Sequence, residues 1–246
     1  MNTYRADLHI HTVLSPCGDL EMSPSKIVKK ACDRGLNIIG ITDHNSTKHC
    51  GLVRHLAEAE DIFVLMGAEV TTREEVHCLV FFENESQLSE FQFYIDKHLL
   101  RIENNTDKFG YQVVVDAEET ITEEIKHLLL SVLDQSIEQI EKKVHELDGI
   151  FIPAHIDRPS YSIYSQLGFI PTDLLIDGVE ISAECALKSI TQRFGDAATG
   201  TIIRNSDAHY IENIGKAFST FEMNSRSFNE VKLSLQGAGG RKVTIE

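Results

Sequence analysis

Six short segments hold the residues that could do chemistry in this 246-residue chain. They are Asp7-Leu8-His9-Ile10-His11-Thr12, Thr42-Asp43-His44-Asn45, Gly67-Ala68-Glu69, the single His77, Pro153-Ala154-His155-Ile156-Asp157 and Ser206-Asp207-Ala208-His209. Imidazoles mixed with carboxylates suit Zn, Mn or Fe better than Ca or Mg. On a strand, residues i and i+2 point the same way, so His9 and His11 can grip one ion, and Asp207 and His209 can do the same or serve neighbouring ions. Glu69 has two oxygens and could bridge a pair of ions. The chain has 11 His, so one H-x-H is expected by chance about half the time. The set as a whole therefore carries the reading, not the pair.

The elements that must position these groups alternate along the chain. Strands are expected at 4–11, 37–42, 62–66, 75–82, 150–153, 178–181, 201–205 and 218–223. Helices are expected at 46–59, 87–102, 183–194 and 227–235, with another opened by Ser23 as N-cap and Pro24 and ending near Gly35. The chemical segments fall at strand ends, the place where parallel α/β folds assemble active sites. Alternation predicts a mostly parallel sheet with helices outside it, and an open sheet and a closed barrel both fit the count. Residues 104–147 interrupt the pattern. They read as a largely helical insertion or lid, or equally as two ordinary crossover helices, with helices at 122–133 and 135–147 and no clear strand. His49, His55, His98, His127 and His145 fall in helical stretches with charged neighbours and read as solvated.

Composition narrows the classes. Hydrophobic residues make up 42% and charged residues 25%, a globular mix. No run of 18 apolar residues occurs, which argues against a membrane span. The first residues lead directly into a strand, as expected without a signal peptide. Lys and Arg number 23 against 38 Asp and Glu, a net charge of −15, which disfavours long nucleic acid. The five scattered Cys read as reduced thiols of a cytoplasmic protein.

In order, DLHIHT, ITDHN, GAE, a strand His, PAHID and NSDAH resemble the PHP (polymerase and histidinol phosphatase) family, from Asp7 to His209. The resemblance implies one domain over 1–246, a distorted (β/α)7 TIM-like barrel, two or three divalent ions and hydrolysis of phosphate esters. It implies that His9 and His11 hold a first metal with Glu69 and Asp207. Glu69 would bridge to a second, completed by His77 and His155. His44 and His209 would hold a third, whose remaining ligand is Asp19 or, less conventionally, Cys17. A hydroxide bridging two ions is the expected nucleophile, with Asp207 or His209 managing the proton.

Arg158, on the loop after His155, offers a planar fork suited to phosphate; Arg204 is a weaker candidate. Tyr161 and Tyr164 could stack a base, although packing of their loop explains them as well. The expected substrate is a small phosphomonoester, nucleotide-like in preference to histidinol phosphate. The alternatives are a 5′-3′ exonuclease on short nucleic acids and a histidinol-phosphate phosphatase. A binding module with a decayed site would lack ligands, and this set is complete.

Overall fold

Short runs of branched apolar residues, bounded by turn formers, build the sheet that presents the chemical segments. The computed structural model describes residues 1–186 and 200–245. Its elements are β1 (Asn2–Ile10), α1 (Pro24–Asp33), β2 (Ile38–Ile41), α2 (Cys50–Glu58), β3 (Phe63–Thr71), β4 (His77–Phe82), α3 (Glu85–His98), α4 (Thr106–Phe109), β5 (Val113–Val115), β6 (Ile121–Glu124), α5 (Ile137–Glu146), β7 (Ile150–Pro153), α6 (Ile163–Gln166), β8 (Gly178–Ile181), β9 (Thr201–Arg204), β10 (Ser219–Met223), α7 (Phe228–Leu235) and β11 (Lys242–Ile245). The helix expected at 183–194 falls largely on 187–199, outside the described residues.

Seven strands form one sheet in the order β11-β10-β1-β2-β3-β4-β7, while β8 and β9 pair separately. The sheet is mixed, which corrects the expectation of a mostly parallel one. Parallel ladders join β1 to β2, β2 to β3, and β8 to β9. Antiparallel ladders join β3 to β4, β4 to β7, β1 to β10, and β10 to β11. The reason at β3–β4 is length: residues 72–76 are too few for a crossover, so β4 must fold back on β3. The sheet curls, and the β8–β9 pair lies beside β7 on one side and β11 on the other.

One apolar cluster, including Leu8, Ile38, Leu65, Leu79, Phe81 and Phe221, fills one face of the sheet; the other face packs under the helices. Gly40 is required where β2 crosses β1, since a Cβ there would lie 2.4 Å from the Leu8 carbonyl oxygen. At the start of α1, Ser23 occupies the N-cap position, but its hydroxyl donates to Glu119 at 2.6 Å instead of capping the helix.

The mostly helical insertion is not what forms. Residues 122–133 contain no helix, and β5 and β6 make a hairpin instead, Val113–Val115 being three β-branched residues that favour a strand. Past it, two buried amides take the backbone groups a helix would have needed. Gln112 donates to the carbonyls of Ile125 and His127 and accepts from the Leu129 N–H. Asn45 donates to the carbonyls of Leu129 and Ser131. The segment 125–131 is thereby held out of a helix, with a turn closed by the Ser131 N–H donating to the Leu128 carbonyl. The helix expected at 135–147 does form, as α5, which opens on a Ser136–Gln139 capping box.

Candidate metal centre

The carboxylate of Glu69, on β3 and buried, is the hub of the site. Its oxygens lie 2.9 Å from His77 Nδ1, 3.1 Å from His44 Nδ1, 3.1 Å from His155 Nε2, 3.4 Å from His9 Nε2 and 3.5 Å from His11 Nε2. These imidazoles come from the ends of β1, β2 and β7 and the start of β4. Single bridges beyond the ladders, His44 to Glu69 and Ile10 to Ala208, hold the strand ends in register. Asp207 closes the other side, with Oδ1 3.3 Å from both His9 Nε2 and His11 Nε2. His209 Nδ1 lies 3.5 Å from the same oxygen, and the His209 ring stacks on that of His11.

The tautomers of the H-x-H pair follow from their outer partners. Ser15 Oγ donates to Asp43 and so accepts from His11 Nδ1 at 3.0 Å. His9 Nδ1 donates to Glu180, 3.0 Å from each carboxylate oxygen. Both Nδ1 atoms being occupied, the Nε2 atoms face each other at 3.1 Å. Two lone pairs at that separation need a cation between them, either a proton or a metal. Asp207 Oδ1, buried and without a hydrogen bond, points at the same spot. Ligand atoms of His9, His11 and Glu69, of His44, Glu69 and His77, and of His11, His44 and His209 lie within 4.8 Å of one another in each group. The residues fit divalent ions of the Zn, Mn and Fe type.

Electrostatics bear the mark of the crowding. Burial alone would raise the Glu69 carboxyl, but His77, His9 and His44 pull it well below its ordinary range. Burial would likewise raise Asp207, and the adjacent His9 and His11 bring it well below. His9 moves up despite burial, because Glu180, Asp207 and Glu69 surround it. Burial and the neighbouring His11 push His44 well down and bring His209 to about 4. Two of these residues also hold unusual backbones: φ is 30° at His155 and 48° at Asp207, both in the left-handed region. Such positions cost about 1–3 kcal/mol each and persist only when their surroundings hold them. Glu180 does so at His155 by accepting its backbone N–H at 3.0 Å.

Asp19 stands apart. Its backbone N–H donates to the His209 carbonyl, but its carboxylate accepts from the Glu21 N–H at 2.8 Å, closing a local turn. Cys17 is exposed. Arg158 reaches the site, with Nη2 2.7 Å from Asp207 Oδ2, whereas Arg204 donates to the Cys185 carbonyl. Tyr161 stacks on His77 with centroids 4.7 Å apart, and Tyr164 packs against the core.

Two positioning residues escape a reading of the motifs. Glu180, in the apolar strand Gly178–Ile181, binds His9, the His155 backbone and Asn205 Nδ2. An acid in an otherwise apolar buried strand was the available signal. His49 corrects an expectation. It is buried, in contact with Thr12 Oγ1 and accepting from the Val115 N–H, because the hairpin folds over it. His145 is half-buried between Glu141 and Asp177 rather than solvated.

A cavity of about 520 Å³ opens onto the cluster, with Glu69, His77, His155, Arg158 and Asp207 in its lining. Among the described residues, no helix is long and apolar enough to cross a membrane.

Comparison with known proteins identifies the family and the fold. The family profile described as the PHP domain matches residues 7–166. An uncharacterised Bacillus subtilis protein, YqxK, is 24% identical over 99% of this chain and 64% of its own length. The lesion-specific endonuclease PfuEndoQ of Pyrococcus furiosus superposes with a TM-score of 0.71 at 23% identity, over 98% of this chain and 58% of that one. A Bifidobacterium adolescentis protein, provisionally described as a metal-dependent phosphoesterase, gives 0.58 at 18% identity, over 83% of this chain and 87% of that one. The chain thus spans less than two thirds of the length of the first two.

Proposed function

The chain belongs to the PHP family and has the fold of its metal-dependent hydrolases, and from that premise we propose that it hydrolyses a small, nucleotide-like phosphomonoester. The observation that carries this reading is the Glu69 carboxylate within 3.5 Å of five imidazoles, beside a cationic Arg158. His9, His11, Glu69 and Asp207 would hold one ion, Glu69, His77 and His155 a second, and His44 with His209 a third, completed by Asp19 if its side chain turns inward. Bound there, divalent ions supply an activated water and neutralise phosphoryl oxygens. Zn, Mn and Fe are the metals proposed.

The protein's own groups do the rest. Arg158 pairs with Asp207 and can exchange that carboxylate for a phosphoryl oxygen, since its side chain is 42% exposed. Asp207 and His209 are the groups placed to hold or pass a proton. With its pKa brought down by burial and His11 to about 4, His209 is neutral near pH 7, the form a metal ligand needs. Five scattered Cys without a CxxC pair suit a reducing compartment, and we place the protein in the cytoplasm.

A nuclease acting on short nucleic acids is the second reading. A likeness to endonuclease Q solved with a 27-mer duplex, at a TM-score of 0.70, favours it; the net charge of −15 opposes a long polymer. The deciding experiment is phosphate release by protein reconstituted with Mn or Zn. The panel holds p-nitrophenyl phosphate, a nucleoside 3′,5′-bisphosphate, histidinol phosphate and a short 5′-phosphorylated oligonucleotide, with a His9→Ala, Asp207→Ala double variant as control. Turnover of a monoester that the double variant loses supports the proposal. Cleavage of the oligonucleotide alone favours the nuclease, and silence on every substrate with metal bound refutes both.

A further inference from the structure

Two non-helical segments, 99–104 and 126–133, run antiparallel beside the metal centre, the second with a turn at Leu128–Ser131. The Leu100 N–H donates to the Val132 carbonyl, the Leu128 N–H to the Ile102 carbonyl and the Asn104 N–H to the Lys126 carbonyl; Leu99 pairs with Leu133 and Glu103 with His127. The apolar side chains of this ribbon divide between two sides. Leu99, Leu129 and Leu133 go into the core. Leu100, Ile102, Leu128, Leu130 and Val132 line the cavity that also holds Glu69, His77, His155 and Arg158.

A ribbon with one solvated face would carry polar residues on that face. This one instead turns Leu100 and Ile102 toward the cavity, where they remain 46% and 55% exposed. Phe109 and the half-exposed Tyr161 ring add to the same lining. The wall is also rigid, because the Gln112 and Asn45 amides fix segment 125–131 from behind. A rigid apolar wall facing a cluster of ligands and an arginine gives the cavity two chemically distinct ends. One end takes an anion. The other rewards removal of a flat apolar group from water.

Resting on the phosphoester reading, we infer that this ribbon is a leaving-group subsite, selecting phosphoesters whose leaving group bears an aromatic ring over those with only a small aliphatic or polyol group. The ring could belong to a simple aryl group or to a nucleobase.

Binding calorimetry on the Mn-loaded full chain tests this without turnover, using benzylphosphonate and methylphosphonate. Benzylphosphonate is expected to bind at least tenfold tighter. A Leu100→Ser, Ile102→Ser double variant, altered only at exposed positions, is expected to bring that ratio near one while leaving methylphosphonate affinity unchanged. Equal affinities in the wild type, or a ratio the double variant leaves unchanged, overturn the subsite alone. Failure of both phosphonates to bind removes the phosphoester reading and the subsite with it. Adenosine titrated into phosphate-saturated protein separates the sources. Binding lost in the double variant supports the subsite with a nucleobase as occupant; no adenosine binding, with the benzyl preference intact, supports it with a simple aryl group.

Discussion

Glu180 grips His9 with both carboxylate oxygens, each 3.0 Å from Nδ1, and so turns the Nε2 lone pair of His9 toward His11. Glu180→Gln puts an amide where a carboxylate stood, weakening the fixed tautomer. Metal affinity should fall about 10–100-fold, the usual cost of losing an outer partner of a ligand. Titration with Zn or Mn followed by calorimetry measures it; an unchanged affinity would show that His9 is oriented by other contacts.

Metal should also stabilise the fold and release protons. At a free metal concentration a hundredfold above Kd, the gain is about 2.7 kcal/mol. For a chain of this length that raises Tm by about 5–10 °C. Glu69→Ala should abolish the rise. Because its carboxylate neighbours raise the His9 pKa well above the ordinary value, His9 keeps its proton near neutrality in metal-free protein. A metal must displace that proton, so affinity should weaken as pH falls. Calorimetry in buffers of different ionisation heat counts the protons released.

Arg158→Ala should raise KM for a phosphomonoester about 10–100-fold through loss of a charge-assisted hydrogen bond. Arg158→Lys keeps the charge without the fork and should fall between. Steady-state kinetics separates this from a defect confined to kcat, which would argue against a phosphate contact.

Asp7 gives a pH prediction independent of activity. Burial lifts its pKa from 3.8 to about 6, although its oxygens accept from Ser206 and Gly215. A carboxyl whose folded pKa is raised binds its proton more tightly in the folded state. Its contribution is therefore greatest below pH 4 and is lost as pH rises through 6, by about 3 kcal/mol. Asp7→Asn has no such titration. Between pH 4 and 7 its stability relative to the wild type should improve by about that amount, as read by urea unfolding of metal-free protein at each pH.

Gln112→Ala removes three hydrogen bonds, two of them buried, and should destabilise the protein by about 2–4 kcal/mol. Hydrogen exchange should quicken first at residues 125–131; a uniform change along the chain would mean that Gln112 has no special hold on that segment.

The contrast between what can and cannot be read from residues alone is physical. The convergence of His9, His11, His44, Glu69, His77, His155, Asp207 and His209 was legible because strand periodicity and position at strand ends are local properties. The partial barrel was legible in its alternation, but the direction of β4 depended on the shortness of one turn. Residues 122–133 misled because a leucine-rich run satisfies helical spacing, while the amides that prevent a helix come from Asn45 and Gln112, the first about 80 residues upstream. His49 and Glu180 were missed for the same reason: each is defined by a partner distant in sequence.

The left-handed backbones at His155 and Asp207 bear on how this protein would respond to selection. Glycine or asparagine at either position would relax the chain and remove a candidate ligand in one step. A library sorted only for heat resistance should therefore accumulate such changes and drift toward inactive folds. Paired sorting for metal retention would hold the original residues in place.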